Sequence, residues 1–175
     1  MGNRSDGLSD VLQDEDVMFD GPSGARDLWF NTTTPADLAA TTDPTAGAKF
    51  VHEAPDGGAV FRIVSWAPGT HDDKTPEEMR AVHAQLGTAH IPSVEYLESA
   101  KHPSMHRTDT LNYIVVLSGK MWALTEGRDV LLRPGDVMVL QSCIHGWRIE
   151  GPEPCVMAAT FIDGAWSSGP APKEQ

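Results

Sequence analysis

Short apolar runs, separated by glycine, proline and aspartate, are the dominant pattern along this chain. Residues 59–66 (AVFRIVSW) and 155–162 (CVMAATFI) are the strongest runs, and shorter ones lie at 27–30, 121–125, 130–132 and 137–140. Runs of this length, bounded by turn residues, indicate β-strands. Many short strands in one chain predict an antiparallel double-sheet jelly roll or barrel, so the expected fold class is all-β.

One segment has helical periodicity instead. Thr75, Pro76 and Glu78 have the spacing of an N-cap, a first-turn proline and a capping box, and Gly87 follows as a stop signal. The residues that recur at helical spacing are Met79, Val82, His83 and Leu86. We expect this helix within an insertion at about 74–101, with a second short helical turn across 93–100. It either caps the open end of the barrel or, more plainly, packs on the outer sheet face.

Two segments combine imidazole groups with apolar strand neighbours. In residues 105–119, polar side chains occupy every second position, and in residues 132–147 a Pro-Gly-Asp turn precedes a strand that delivers a histidine and a tryptophan two apart. Alternation along a strand puts such residues on one face. The candidate site residues from these segments are His106, Thr108, Thr110, Asn112, Gln141, His145 and Trp147.

The two segments resemble the two sequence motifs of the cupins, H-x-H-x(3,4)-E-x(6)-G and G-x(5)-P-x-G-x(2)-H. His106 and Gly119 match the first motif, while Thr108 and Asn112 stand where the second histidine and the carboxylate are expected. In the second motif Gly135, Asp136 and His145 match, and Gln141 and Cys143 replace the usual proline and glycine. The first segment is also similar to a small-cupin subgroup with the pattern H-R-T-x-[ST]-x-D-Y.

The resemblance implies a single cupin jelly-roll barrel, or double-stranded β-helix, with one short helical insertion. We expect a flexible or arm-like extension at residues 1–24, the barrel at 25–165 and a flexible tail at 166–175. The long connection before residue 57 is expected to lie across the barrel surface or at its mouth.

For the site, the resemblance implies one divalent metal ion, Fe, Mn, Zn or Ni, with His106 and His145 as ligands. Asn112 would add a weak amide oxygen. Two of the usual four ligands are missing, so three interpretations stay open. They are a catalytic metal, a metal-free pocket in which the histidines bind a ligand or transfer protons, and histidines that are simply satisfied in the core.

Five further side chains have two interpretations each. Arg62 shares a strand face with valines and a tryptophan, so it is either a surface residue with a buried stem or a pocket anchor for an anionic group. Trp122 and Leu124 need a partner on the outer face of their strand, either a second subunit or the N-terminal segment. The histidines at 83 and 90 either reach a pocket at the barrel end or, as we expect, are solvated or half-packed.

Composition narrows the class of partner. The chain has 13 lysines and arginines against 25 aspartates and glutamates, for a net charge of −12. This balance argues against a nucleic-acid partner, which needs a basic surface. No apolar run reaches membrane-spanning length and no signal peptide is visible, so we expect a cytoplasmic location without membrane contact. The two cysteines, Cys143 and Cys155, are expected to be reduced and buried.

These patterns lead to two functional hypotheses. The first is a cupin that acts on a small organic metabolite by metal-assisted oxygenation, isomerisation or lyase chemistry at His106 and His145. The alternative is a metal-free small-molecule binding or accessory cupin without catalysis. In either case we expect a small organic ligand and a homodimer.

Overall fold

In the computed structural model the chain folds into two antiparallel sheets whose inner faces meet, and the structure describes residues 1–19 and 21–168. The five-stranded sheet has the order β3-β4-β10-β5-β8. Its strands are β3 (Ala25–Asn31), β4 (Ala59–Trp66), β10 (Cys155–Asp163), β5 (Thr110–Ser118) and β8 (Val137–Gln141). The three-stranded sheet has the order β7-β6-β9, with β7 (Val130–Leu132), β6 (Met121–Thr125) and β9 (His145–Ile149).

The main core lies between the two sheets. Ile114, Val116 and Met157 from the larger sheet pack in one cluster with Met121 and Trp147 from the smaller one. Buried and more exposed positions alternate along most of β4 and β5, as the period of two predicts. The jelly-roll fold class is therefore confirmed.

The segment of the first motif crosses from one sheet to the other. His106 pairs with His145 in an isolated bridge beside β9, whereas residues from Thr110 onward belong to β5 in the larger sheet. The predicted single strand is thus shorter than expected. Its first part serves as a link that joins the two sheets next to the cavity.

Two helices lie in the predicted insertion. Helix α1 (Pro76–Leu86) begins at Thr75 with the full capping box and ends at Gly87 in the left-handed conformation, as the sequence predicts. Helix α2 (Val94–Ser99) follows with Ser93 as its N-cap. Met79 and Leu86 of α1 line the cavity between the sheets, so the helix caps the barrel end and the expectation that it packs on the outer sheet face is wrong.

Helix α2 supplies the partner for the outer face of β6. Leu124 is buried in a small cluster with Met105 and Ile144, and Tyr96 of α2 packs against it. Trp122 packs on the same cluster and donates a hydrogen bond to Glu150. The expectation of a partner in a second subunit or in the N-terminal segment is therefore wrong for Leu124, which is 3% exposed. For Trp122, which is half-buried, it stays a prediction.

The chain ends contain little regular structure. Strands β1 (Gly2–Asn3) and β2 (Ser9–Asp10) pair as a short hairpin, and a 3₁₀ turn at Pro22–Gly24 leads into β3. The predicted tail at 166–175 lies mostly outside the described residues. The domain limits given by the sequence stay a prediction. Within the described ranges, no helix has the length and apolar character needed to span a membrane.

Two motif glycines give a matched test of backbone constraints. Gly119 has φ +70°, and a Cβ there would lie 2.3 Å from the carbonyl oxygen of Pro154. Gly135 has φ +90°, but a Cβ there would meet nothing within 4 Å. We expect Gly135→Ala to lower the free energy of unfolding by about 1–2 kcal/mol through backbone strain alone. Gly119→Ala adds overpacking, for a loss of about 2–5 kcal/mol.

Urea denaturation of both variants checks this difference. Equal losses in Gly119→Ala and Gly135→Ala would contradict the close approach of Pro154 to the turn.

Candidate functional site

A cavity lies between the sheets beneath α1. Its volume is about 70 Å³, which is room for several water molecules or one small ligand. Most of its wall is apolar or aromatic, including Phe50, Trp66, Trp147 and Phe161. The polar groups that line it are mainly imidazoles.

His106 and His145 meet at one side of this cavity. Each backbone N–H donates to the other residue's carbonyl oxygen at 2.8 Å, and the ring centroids are 4.4 Å apart. Nδ1 of His106 lies 2.8 Å from the carbonyl oxygen of Ser104, and Nδ1 of His145 lies 2.9 Å from that of Cys143. A carbonyl only accepts, so each Nδ1 carries the proton and each Nε2 has a free lone pair.

A second pair of histidines, which the motifs do not contain, completes the imidazole cluster. The ring centroid of His52 lies 5.1 Å from that of His106, and the centroid of His83 lies 5.0 Å from it. His83 is 3% exposed, so the expectation of a solvated or half-packed position is wrong for this residue. His90 is half-buried beside Asp109 and does not line the cavity.

Sequence reasoning missed His52 altogether. It lies in the long connection between β3 and β4, which contains no periodic pattern. The only available signal was the expectation that this connection lies at the barrel mouth. The sequence did indicate burial of His83, because this residue falls on the apolar stripe of α1.

Arg62 holds the connection in place. It is 2% exposed, and its NH1 and NH2 groups donate to the carbonyl oxygens of His52 and Val51, both at 2.8 Å. Its Nε lies 2.9 Å from Asp27 Oδ1 in an ion pair whose angle is poor for a hydrogen bond. The guanidinium also lies over the rings of Phe50 and Phe161.

The surface position that the sequence allowed for Arg62 is therefore wrong. The alternative, an anchor for an anionic ligand, also lacks support, because all three nitrogens of the guanidinium already have protein partners. Burial lowers the pKa of Arg62, and Asp27 opposes this effect; burial raises the pKa of Asp27, and Arg62 opposes that shift.

The three predicted polar residues of β5 and its approach are all buried. Thr108 and Asn112 line the cavity, whereas Thr110 lies behind Thr108, with 2.7 Å between the two hydroxyl oxygens. Thr110 therefore supports Thr108 and does not itself reach the cavity. Oδ1 of Asn112 is buried without a hydrogen-bond partner, which is unusual for a buried polar atom. A ligand donor can satisfy it.

The second predicted segment is only partly at the site. Trp147 lines the cavity, with its ring edge-on to His145 at 5.1 Å between centroids. Gln141 is exposed and pairs with Leu111 on the outer side of the larger sheet, so its predicted place in the pocket is wrong. The turn at Ser142, with φ 41°, changes the alternation between β8 and β9. Cys155 is buried as expected, but Cys143 is exposed, and both thiols are free.

Burial keeps the four imidazoles neutral. It lowers the pKa of His83 and of His145 to about 3, and that of His71, which also lines the cavity, to about 4. The pKa of His52 lies well below its ordinary value and that of His106 is also lowered, in both cases mainly because burial disfavours the imidazolium. The cavity therefore presents uncharged nitrogen atoms at neutral pH.

The metal ion implied by the resemblance requires a converging set of donors. His106 and His145 have the Nδ1–H to carbonyl contacts that commonly orient metal-binding histidines, and Asn112 adds an unpartnered oxygen. However, among the residues that the structure describes, no group of three or more histidine, cysteine, aspartate or glutamate side chains is arranged to hold a metal ion. The donors present do not fit a site with three protein ligands of these types, and the predicted metal ligands stay a prediction.

No protein-family model matches the chain. Two curated proteins of Diaporthe leptostromiformis, phomopsin biosynthesis cluster proteins C' and D, are each 28% identical to it over 134 residues. Each alignment covers 71% of this chain and 54% of the relative, so the chain spans about half the length of the curated relatives that it matches.

Solved structures with similar folds come from several bacteria. A Cupin 2 conserved barrel domain protein of Salinispora arenicola is 14% identical, with 79% of this chain and 74% of that chain covered and a TM-score of 0.41. A protein of Klebsiella pneumoniae with a double-stranded β-helix domain is 16% identical, with 61% and 68% covered and a TM-score of 0.39. In this chain the two motif histidines meet between two facing antiparallel sheets. The chain has the double-sheet jelly-roll fold that its resemblance to the cupins implies.

Within this barrel, the four rings of His52, His83, His106 and His145 come from two kinds of segment. The histidines of the two motifs come from the link between the sheets and from β9, and the other two come from the β3–β4 connection and from the capping helix. The H-R-T-x-[ST]-x-D-Y subgroup stays a prediction. Chemically, neutral imidazoles in an apolar cavity accept and donate hydrogen bonds, bind metal ions, and relay protons.

The buried histidines predict a stability that falls in acid. Their pKa values are lower in the folded state than the ordinary value near 6.5, so the unfolded chain binds more protons below that pH. Above about pH 6.5 these histidines are neutral in both the folded and the unfolded state, so they should not change the urea midpoint. Below that pH the urea midpoint should fall steeply towards pH 4. Tryptophan fluorescence during urea titration at several pH values measures this.

A variant that lacks one buried imidazole ring is compared with the wild type. His83→Gln removes one of the groups with a pKa of about 3, so its stability should depend less steeply on pH over the same window. An unchanged slope would show that His83 is not buried as a neutral ring.

Proposed function

We propose that this cupin binds and acts on a small, uncharged, largely apolar organic molecule inside the barrel cavity. The observation that carries this proposal is the cavity between the sheets itself, with aromatic walls and neutral imidazoles at its surface. Ligand sites of this kind combine an apolar lining with a few polar groups that fix orientation.

The absence of an available charge favours an uncharged ligand. Arg62 is the only permanently charged side chain among the described residues that line the cavity, and its three nitrogens are engaged by Asp27, Val51 and His52. A carboxylate or an ammonium group in the cavity would lose its hydration without gaining a counterion, which costs several kcal/mol. A hydroxyl or an amide group would instead pair with an imidazole or with Asn112.

The reaction class remains part of the proposal. The metal-assisted route needs a metal ion that accepts two imidazoles and an amide oxygen, whereas the metal-free route uses the cavity as it stands. The donor geometry supports the metal-free route, in which the histidines bind the ligand or transfer protons. The names of the two curated relatives, which refer to a biosynthesis cluster, support a metabolite as the ligand.

A matched series of small probes tests the ligand class. Isobutanol, isobutyrate and isobutylamine share one carbon skeleton and differ in charge. We expect isobutanol to raise the melting temperature and the two charged probes to have no comparable effect, because only the neutral probe avoids the cost of a buried charge. At ten times its Kd, a probe stabilises the folded state by about 1.4 kcal/mol.

Ala159→Leu is the control for the place of binding. Ala159 is 1% exposed and lines the cavity, so a larger side chain there should fill the cavity and abolish the shift. A shift that persists in this variant, or one that isobutyrate produces equally, would contradict the proposal.

Metal content separates the two routes. We expect protein purified without a histidine tag to hold well below one equivalent of Fe, Mn, Zn or Ni, because no three histidine, cysteine, aspartate or glutamate side chains among the described residues are arranged to hold a metal ion. Asn112→Asp adds a carboxylate beside His106 and His145, so it should bind these ions more tightly than the wild type. Elemental analysis and metal-induced thermal shifts measure both quantities. One equivalent of metal in the wild type would favour the metal-assisted route.

We also propose that the outer face of the five-stranded sheet binds a second copy of this chain. Two complete cross-strand rows on this face contain no charged residue from β4 to β8. The rows are Phe61, Thr160, Tyr113 and Val139, and Ile63, Ala158, Val115 and Val137. The second row continues to Arg26 of β3, so the charge-free part of the face extends from β4 to β8. In a chain of net charge −12, this charge-free apolar part is where two copies approach with least repulsion.

The size of the face is sufficient for a small dimer interface. Four strands of about eight residues cover about 20 Å by 25 Å, or about 500 Å² per copy. Two copies therefore bury about 1,000 Å², the lower limit for a specific interface.

Two valine substitutions test this dimer. Val139 is 58% exposed on the proposed interface, and Val130 is 42% exposed on the other sheet. We expect Val139→Glu to turn a dimer into a monomer in sedimentation experiments, because it buries a charge in both copies, while Val130→Glu stays dimeric. A monomeric wild type, or a dimeric Val139→Glu, would contradict the proposed interface.

A further inference from the structure

A single hydroxyl group connects the two histidines that the motifs do not contain. Oγ1 of Thr88 lies 2.8 Å from Nδ1 of His52 and 3.2 Å from Nδ1 of His83. Thr88 is 5% exposed, and across residues 1–19 and 21–168 the structure records no third partner for this hydroxyl. The two rings therefore share one buried hydrogen-bonding group.

The backbone fixes the positions of His52, Thr88 and His83. Gly87 ends α1 in the left-handed conformation, and the N–H of Thr88 then donates to the carbonyl oxygen of His83 at 3.0 Å. The N–H of His52 donates to the carbonyl oxygen of Leu86 at 2.9 Å, while Arg62 holds the carbonyl oxygen of His52. The short hydroxyl contacts are thus built into the end of the helix.

The single proton of the Thr88 hydroxyl determines the tautomers of the His52 and His83 rings. The threonine hydroxyl has one proton, so it donates to one Nδ1 and accepts from the other. The ring that accepts carries its proton on Nε2, and the ring that donates carries its proton on Nδ1 and has a lone pair on Nε2. Two neutral rings joined in this way must have opposite tautomers, and the cavity receives one Nε2–H donor and one Nε2 acceptor.

Nε2 of His83 adds an independent observation. It is buried without a hydrogen-bond partner in a residue that lines the cavity. Buried polar atoms without a partner are rare in folded proteins, and a bound molecule is one way to satisfy them.

We infer that His52, Thr88 and His83 form a proton relay that moves a proton between two positions of a ligand, an isomerisation that needs no co-reactant. This inference rests on the proposed function, because the relay acts only on a molecule in the cavity. The three residues extend the site beyond the motif histidines and narrow the reaction from the three classes that the sequence allowed.

The step balances in protons and electrons. An O–H or acidified C–H bond of the ligand breaks, and its proton goes to the free Nε2 of the first ring while the electron pair stays on the ligand. That ring passes its Nδ1 proton to Thr88 Oγ1, and the hydroxyl passes its own proton to Nδ1 of the second ring. The second ring gives its Nε2 proton to the ligand atom that has gained electron density.

The relay avoids the charged state that burial opposes. A single histidine that acts as a general base must become an imidazolium, and the apolar surroundings make that unfavourable. In the relay both rings are neutral before and after transfer, since only their tautomers exchange. Water that enters after product release resets the two Nε2 positions.

Nitrogen NMR of the imidazoles tests the relay without a ligand. In ¹⁵N-labelled wild-type protein at pH 7, we expect one of His52 and His83 to be protonated on Nδ1 and the other on Nε2. Thr88→Ser keeps the hydroxyl and should keep this pattern. Thr88→Val has nearly the same shape without the hydroxyl, so the opposite pairing should be lost.

The signals of His106 and His145 serve as a fold control, because their Nδ1 contacts are to backbone carbonyls and should not change in either variant. Equal tautomers in the wild type, or an opposite pair that persists in Thr88→Val, would overturn the relay. In that case binding of isobutanol would still support the proposed function, so the two failures are distinguishable.

Discussion

The reciprocal pair of backbone hydrogen bonds between His106 and His145 is the constraint on which the site depends. These bonds join the link between the sheets to the first residue of β9, and they bring two segments about 40 residues apart into register. The rings then lie side by side over the cavity, and the carbonyl contacts at Nδ1 fix the tautomer of each. Loss of this register would move both motif histidines at once.

The buried guanidinium of Arg62 extends this organisation to the rest of the cluster. Its nitrogens contact Asp27 of β3 and two carbonyl oxygens of the long connection, and two aromatic rings pack against it. A buried arginine is costly unless its donors are satisfied, and here they hold irregular backbone at the cavity wall. The sheet thereby positions a histidine that no strand carries.

Local rules predicted most of the fold. The period of two located the strands, and the capping box and Gly87 gave both ends of α1, because these signals act between neighbouring residues. The motif histidines were found for the same reason. His52 was missed because its position depends on Arg62 and on the end of α1, which are distant in sequence. Gln141 was misplaced because the turn at Ser142 interrupts the alternation on which the prediction relied.

Helix α1 has two roles that cannot be separated. Met79 and Leu86 form the roof of the cavity, while His83 on the same helix supplies one of the four rings. Any displacement that lets a molecule pass beneath the helix also moves that ring, together with Thr88 at the helix end, away from His52 and His106. Entry of a ligand by that route would therefore be coupled to the assembly of the imidazole cluster.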